Sequence, residues 1–290
     1  MKRYSFYGLI AAFTFIFIFS TTVFAASFQA ATPKVLSTNY TLVNMGSQTA
    51  NVVVQYLKED GTPWTASPDN TTFDIPGNFG QKIIAQYFDT ALSPGKGSAV
   101  VQSNQPLGAV VQILARNQTP TSGAYSGFTS GSSKLFVPLI LKNRSTASGI
   151  ANSQVIIQNV EQSAITIAMN FVPQTGYSAY TKSGITIQPG SSYYWDSTTE
   201  TGLTDGWGGS VVINVADSKK AVAVVNLFGG ANSLQTYSAF PQEAVTTTWM
   251  IPLFTSRLTN GLSTPVSIQN VSGAEIAPGG ITMQCISSIS

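Results

Sequence analysis

Histidine is absent from this chain of 290 residues. That removes Ser-His and Cys-His nucleophile pairs, histidine general bases and imidazole metal ligands together. Cysteine is almost absent. Cys285 stands alone, so no internal disulfide can form, and stability must come from packed cores. Charge is scarce as well: 9% of residues are Asp, Glu, Lys or Arg, far under the usual quarter or so. Ser, Thr, Asn, Gln and Gly must therefore dress the surface. The 14 basic and 12 acidic residues nearly cancel, which leaves no basic footprint for nucleic acid or an acidic membrane. No stretch keeps a helical period, and no second hydrophobic span follows the N-terminal one. Also missing are a Gly-x-Ser-x-Gly elbow, an Asp-Thr-Gly or Asp-Ser-Gly triplet and a Gly-rich phosphate loop.

What is present begins with an export signal over residues 1–25. Lys2 and Arg3 form its positive end, residues 7–19 its apolar run, and Val23-Phe24-Ala25 its cleavage site. The run is short for a bilayer span, which takes roughly 20 residues. Cleavage after Ala25 leaves a mature chain without a membrane span, outside the cell or on its surface. Lys2 and Arg3 leave with the signal, so twelve basic residues then face twelve acidic ones.

Short β-branched and aromatic runs follow, bounded by Gly, Pro, Asn, Asp and Ser. They predict strands near 38–44, 50–57, 71–75, 81–88, 97–103, 107–114, 125–128 and 134–141, then 154–159, 164–172, 184–188, 192–196, 209–215, 221–228, 235–240 and 248–254. In residues 164–172, Ile165, Ile167, Met169 and Phe171 alternate with Thr166, Ala168 and Asn170, as a strand with one buried face requires.

The runs repeat. Asn44 pairs with Asn159, Gly61 with Gly176, Pro76-Gly77 with Pro189-Gly190, and Tyr87-Phe88-Asp89 with Tyr194-Trp195-Asp196. Gly97-Ser98 pairs with Gly209-Ser210, Ala109-Val110-Val111 with Ala223-Val224-Val225, and Val137-Pro138-Leu139 with Ile251-Pro252-Leu253. Residues 135–159 return at 249–270, ending each time in Gln-Asn. A spacing of 107 to 115 residues with the order kept indicates one β-sandwich per repeat. The predicted fold is all-β: two tandem antiparallel β-sandwich domains of about seven strands each, plus a partial third repeat. The boundaries are 1–25 signal, 26–132 first repeat, 133–247 second repeat and 248–290 incomplete third repeat. Short junctions suggest limited freedom between the two. The tail skips a strand and stops, which suggests a piece of a longer array, because a half-repeat alone leaves strand edges bare.

These elements (the Pro-Leu strand, the Gln-Asn end, the Pro-Gly turn and the Gly-Ser strand start) resemble the tandem Ig-like sandwich repeats of large secreted bacterial surface proteins. The resemblance implies stalk, adhesive or envelope roles, with no chemistry, no cofactor and no functional residue to carry across.

Candidate sites are few. Ser93-Pro-Gly-Lys96 has Ser-x-x-Lys spacing, but it falls in a Pro-Gly turn without its partner motifs. Asp89 and Asp196 each close an aromatic strand and are expected to cap the following turn; calcium is the sharper alternative, without the clustered carboxylates it needs. Glu59-Asp60 reads as turn chemistry. Trp64 and Trp207, both in loops, are the residues expected to meet a ligand if any does, since loop aromatics serve recognition. No metal site is expected. The function expected is a non-enzymatic secreted or surface-attached spacer, or an adhesion module contacting surface proteins or glycans. The alternative is a carbohydrate-binding array using the two tryptophans.

Overall fold

Alternation of apolar and polar side chains dictates most of the architecture in the computed structural model, which describes residues 36–116, 121–147, 149–230, 233–256 and 264–286. The export signal read over 1–25 lies outside them. The first half contains β1 (Leu36–Asn44), β2 (Ala50–Lys58), β3 (Thr72–Ile75), β4 (Gln81–Ala85), β5 (Gly97–Ser103), β6 (Leu107–Ala115) and β7 (Ser122–Ser126). The second contains β8 (Lys134–Leu141), β9 (Arg144–Thr146), β10 (Gly149–Asn159), β11 (Ile165–Pro173), β12 (Tyr180–Ile187), β13 (Ser192–Asp196), β14 (Gly208–Val215), β15 (Ala221–Gly229), β16 (Ser233–Ser238) and β17 (Phe240–Pro241). The only α-helix among the described residues is one turn, Pro68–Thr71. None is long and apolar enough to cross a membrane.

The strands form four antiparallel sheets. Their orders are β4-β1-β6-β7 and β3-β2-β5 in the first half, and β13-β10-β15-β16 and β12-β11-β14-β8-β17 in the second, with β9 on β10. Position by position the two halves correspond. The second adds β8 and β17 beyond β14, where β5 has only β2 beside it among the described residues.

Each half has its own core. In the second, Ile167, Met169 and Phe171 of β11 and Val211 and Ile213 of β14 meet Val155 and Ile157 of β10 and Ala223 and Val225 of β15. Leu135, Val137 and Ile140 of β8 complete it. The first core is smaller: eight buried apolar residues against twenty-one. It lacks the three that β8 supplies, and Val101, whose counterpart Ile213 is buried, stays exposed.

Pro138 explains an irregularity in β8. Val137 faces Val211 and Ile140 faces Gly209, so Pro138 and Leu139 oppose Ser210 alone, a bulge. Proline donates no ladder hydrogen bond and is confined to such places. The Tyr237 hydroxyl takes up both Leu139 backbone groups: it donates to the carbonyl at 2.7 Å and accepts from the N–H at 3.3 Å.

The repeated asparagine is a staple. Asn44 Nδ2 donates to the Gln48 and Ile75 carbonyls at 2.7 and 3.0 Å, while its Oδ1 accepts from Gly46 N–H. Asn159 does the same with Ser163, Ile187 and Glu161. Each buried side chain closes its own turn and ties the end of one sheet to the other (β1 to β3, β10 to β12). In the tail Asn270 repeats the turn part, to Ala274 and Ser272.

The halves meet directly. Ser98 Oγ donates to the Gly190 carbonyl at 2.7 Å, the Tyr194 hydroxyl to that of Gly97, and Gln158 Nε2 to that of Ala99 at 3.5 Å, while Gln158 also donates within its own half to Gly190 at 3.0 Å. Strand β7 lies along β16. The start of β5 and strand β7 thus rest on the outer face of the β13-β10-β15-β16 sheet. In the tail, Gln269 Nε2 approaches the Val211 carbonyl at 3.4 Å. Gln269 matches Gln158 and Val211 matches Ala99, so this contact echoes the joint.

Two expectations need correction. Residues 248–254 form no strand; they have no β-ladder, and Trp249, Met250, Leu253 and Phe254 are exposed. Tyr87-Phe88 is not the counterpart of Tyr194-Trp195. The register sets Trp195 opposite Val155 and Ile84 opposite Tyr40, so Ile84 takes the place of Trp195. Tyr87 and Phe88 follow in a 3-10 turn, exposed, with the Arg116 guanidinium over both rings.

Candidate functional site

Trp64 follows the hairpin turn Glu59-Asp60-Gly61. Gly61 supplies the positive φ of 84° this turn needs, as Gly176 does at 95° in the second half. Asp60 accepts from the backbone and hydroxyl of Thr62 at 2.9 and 2.6 Å. Those bonds hold its carboxyl below the ordinary range. Beyond the turn the indole doubles back, and Trp64 Nε1 donates to Ser93 Oγ at 2.9 Å. The ring is half-buried and floors a shallow depression of about 390 Å³ lined by Lys58, Glu59, Asp60, Ser93 and Lys96. The Lys96 ammonium lies 5.5 Å from the centre of the Tyr194 ring. Ser93 and Lys96 are thus spent on different partners, as a turn requires and a Ser-x-x-Lys site would not.

Trp207 lies elsewhere. It is 1% exposed and packs edge-on against Phe171 at 6.0 Å. Its Nε1 donates to the Ser178 carbonyl at 3.1 Å. The ring presents no face to solvent, so the structure does not bring the two tryptophans into one site. They share a structural task instead. A Cβ on Gly97 would stand 2.6 Å from the Trp64 ring and 2.2 Å from the Leu57 carbonyl; on Gly209 it would stand 2.7 Å from the Trp207 ring and 2.2 Å from the Val172 carbonyl. Gly97 and Gly209 begin matching strand segments, and each is glycine because an indole lies on the backbone there. Trp64 comes from the β2–β3 loop and Trp207 from the turn before β14, so no sequence match relates them.

The two aspartates are consumed locally, and the register that sets Ala85 at the place of Asp196 shows that Asp89 is not its counterpart. Asp196 accepts from Thr198 N–H at 2.8 Å, the expected turn cap. Asp89 accepts from Ala91 and Ser67 N–H and, at 2.7 Å, from Asn70 Nδ2. Burial raises its pKa, but the Asn70, Ser67 and Ala91 donors outweigh this and hold it low. The carbonyl of Asn70 in turn accepts from Tyr56, whose hydroxyl meets that of Tyr40 at 2.5 Å inside the first core. Burial pushes both phenols up. Val155 and Phe171 stand at the matching places in the second half.

Sequence reasoning missed a polar cluster around Glu200. This buried carboxylate pairs with Lys182 at 3.0 Å and accepts from Trp195 Nε1 at 3.0 Å and Gly202 N–H at 3.1 Å. Burial raises its pKa, but Gly202, Lys182, Trp195 and Tyr180 together hold it below the ordinary value. Lys142, also buried, donates to the Glu200 and Leu203 carbonyls at 2.5 and 2.7 Å. The cluster clamps the 200–203 loop onto the second core. One carboxylate already engaged by three donors and a cation has no lone pair poised for proton transfer. The available signal was compositional: buried charges in so uncharged a chain are conspicuous once located.

No known protein family matches this chain, and no curated protein matches it. Among solved structures, the one described as the crystal structure of Thermotoga maritima 1070 is similar over 39% of this chain and 97% of its own, at 17% identity and a TM-score of 0.33, too slight a likeness to bear on fold or function.

Proposed function

We propose that this chain is a non-enzymatic exported or surface-held repeat protein, whose halves are Ig-like β-sandwiches, working as a structural spacer or interaction module. The joint between the halves carries this reading. Three hydrogen bonds, Ser98 to Gly190, Tyr194 to Gly97 and Gln158 to Ala99, set one unit on the next without a linker, and Gln269 repeats the contact toward the tail. A joint made of body contacts transmits direction and reach, which is what a spacer needs. Facing pairs of sheets are favoured over four propeller blades because the twenty-one-residue core is shared by the two sheets of one half. Most of the polar side chains described above are already used in holding turns and loops. Small-angle scattering of the mature chain tests the proposal: one rigid envelope, insensitive to salt, is expected. A broad distribution of distances between the halves would sink it.

A second reading rests on Trp64 alone. Its half-buried ring under a depression with both charge signs and the Ser93 hydroxyl at the rim suits a glycan. Polysaccharide pull-down by the full chain, lost in Trp64→Ala, selects it; silence across the panel removes it.

A further inference from the structure

One corner of the first half has no counterpart in the second. The outer face of the β13-β10-β15-β16 sheet is covered by the first half, and Val224 there is 7% exposed. Val110, at the matching place on β6, is 48% exposed, so the β4-β1-β6-β7 sheet keeps its outer face open. At one end of that sheet stand Tyr87, Phe88 and Arg116. The Arg116 guanidinium lies 4.5 Å from the centre of the Tyr87 ring and 5.6 Å from that of Phe88. The two rings meet edge to face at 5.3 Å. Arg116 Nε donates to Ser37 Oγ at 2.8 Å, which tethers the group. No carboxylate among the described residues pairs with its terminal nitrogens. Tyr87 is 57% exposed and Phe88 69%.

The repeat shows that the fold does not need this cluster. Ala85 stands opposite Asn39 and Asp196 opposite Gln154, so the 3-10 turns that follow, residues 86–88 and 197–199, are counterparts. Asp89 and Glu200 end them in the same way, each N–H bonding to the first carbonyl of its turn. Where the first half has Tyr87 and Phe88, the second has the exposed Thr198 and Thr199. Arg116 follows Ala115, which faces Leu36; after Gly229, which faces Ala151, comes Gly230. The same corner thus closes with two threonines and a glycine. Ala85 also replaces the Asp196 carboxylate, which removes a negative charge from beside the turn. Rings so exposed add little to a core, and an arginine stacked on them is the chemistry of recognition.

We propose that Tyr87, Phe88 and Arg116 form a binding site for the carboxylate of an acidic polysaccharide, a uronate. The planar guanidinium offers a carboxylate two parallel N–H bonds. Its tether to Ser37 and its seat on the rings fix its plane, so binding orders little that is not already ordered. The negative ring faces attract the C–H groups of a sugar. The rings form an open platform and not the pocket that grips a peptide side chain. Ser93, which lines the Trp64 depression, comes five residues after Phe88, within about 18 Å, so one extended glycan reaches both. The choice of a sugar to carry the carboxylate rests on the Trp64 reading above; the carboxylate site itself does not.

Isothermal titration of the full chain with oligogalacturonate at physiological ionic strength tests it. Binding is expected, and Arg116→Gln should weaken it roughly 10- to 100-fold, as loss of hydrogen bonds to a charged group does. Tyr87→Thr with Phe88→Thr copies the turn of the second half and should weaken it roughly 10-fold. Circular dichroism checks both folds, and Arg116→Lys, which keeps the charge but loses the fork, serves if Arg116→Gln misfolds. The methyl-esterified oligomer, with the same sugar rings and no charge, should bind much more weakly. Absence of binding to oligogalacturonate overturns the proposal, as does equal binding of the ester or equal binding by Arg116→Gln. Equal binding of polyglutamate also overturns it, since the carboxylate is then a peptide's. Trp64→Ala separates the two sites. Binding that survives Trp64→Ala and falls in Arg116→Gln upholds this site without the depression. Binding of charged and esterified oligomers alike, lost only in Trp64→Ala, removes this site and leaves the depression standing.

Discussion

At the residue scale the chain spends its few strongly polar side chains on geometry. Asn159 satisfies two carbonyls and one N–H across a buried turn. Asn159→Ala leaves them unpaired and should cost about 2–3 kcal/mol, measured by urea unfolding. Asn270→Ala, on an exposed turn, should cost little. Gly209→Ala drives a methyl toward the Trp207 ring and the Val172 carbonyl, an overpacking expected to cost about 1–3 kcal/mol. Glu200 gives a pH signature. Its folded pKa lies below the ordinary value of 4.5, so its stabilisation is full above that pH and is lost as pH falls through the folded value. Melting temperature should therefore fall below about pH 4.5, and Glu200→Gln should flatten that fall. The asparagines were visible in sequence as a repeated Gln-Asn ending, but their task was not. A side chain that bonds residues 28 and 31 positions away leaves no local signature.

At the element scale, hydrophobic alternation was enough to locate most strands. Strands at 97–103, 134–141 and 192–196 fall at the bounds the pattern predicts, because a half-buried strand imposes period two on its sequence. The pattern failed where pairing, rather than periodicity, decides. Residues 248–254 have the composition of β8 but no ladder, since a strand exists only beside another strand. Tyr87-Phe88 resembled Tyr194-Trp195 in letters, while register gave the core position to Ile84. The bulge at Pro138 depends on Tyr237 from the far end of the half. Tyr237→Phe removes the hydroxyl serving both Leu139 groups and should cost about 1–2 kcal/mol, with faster amide exchange at Leu139 as its local readout.

At the scale of the whole molecule, the joint decides behaviour. Val224 lies under the first half, away from its own core. Val224→Glu should uncouple the halves and split one cooperative unfolding transition into two by calorimetry; retention of a single transition would show that the joint contributes little. The sequence by itself determined the all-β class, the repeated order of the units and the exclusion of histidine chemistry, because these follow from composition and short-range periodicity. Only the tertiary structure decided that Trp207 is core while Trp64 keeps a face near solvent, that equivalent glycines lie beneath non-equivalent indoles, and that one sheet face is covered while its twin is bare. Burial is set by what arrives from elsewhere in the chain. No local pattern of residues records that arrival.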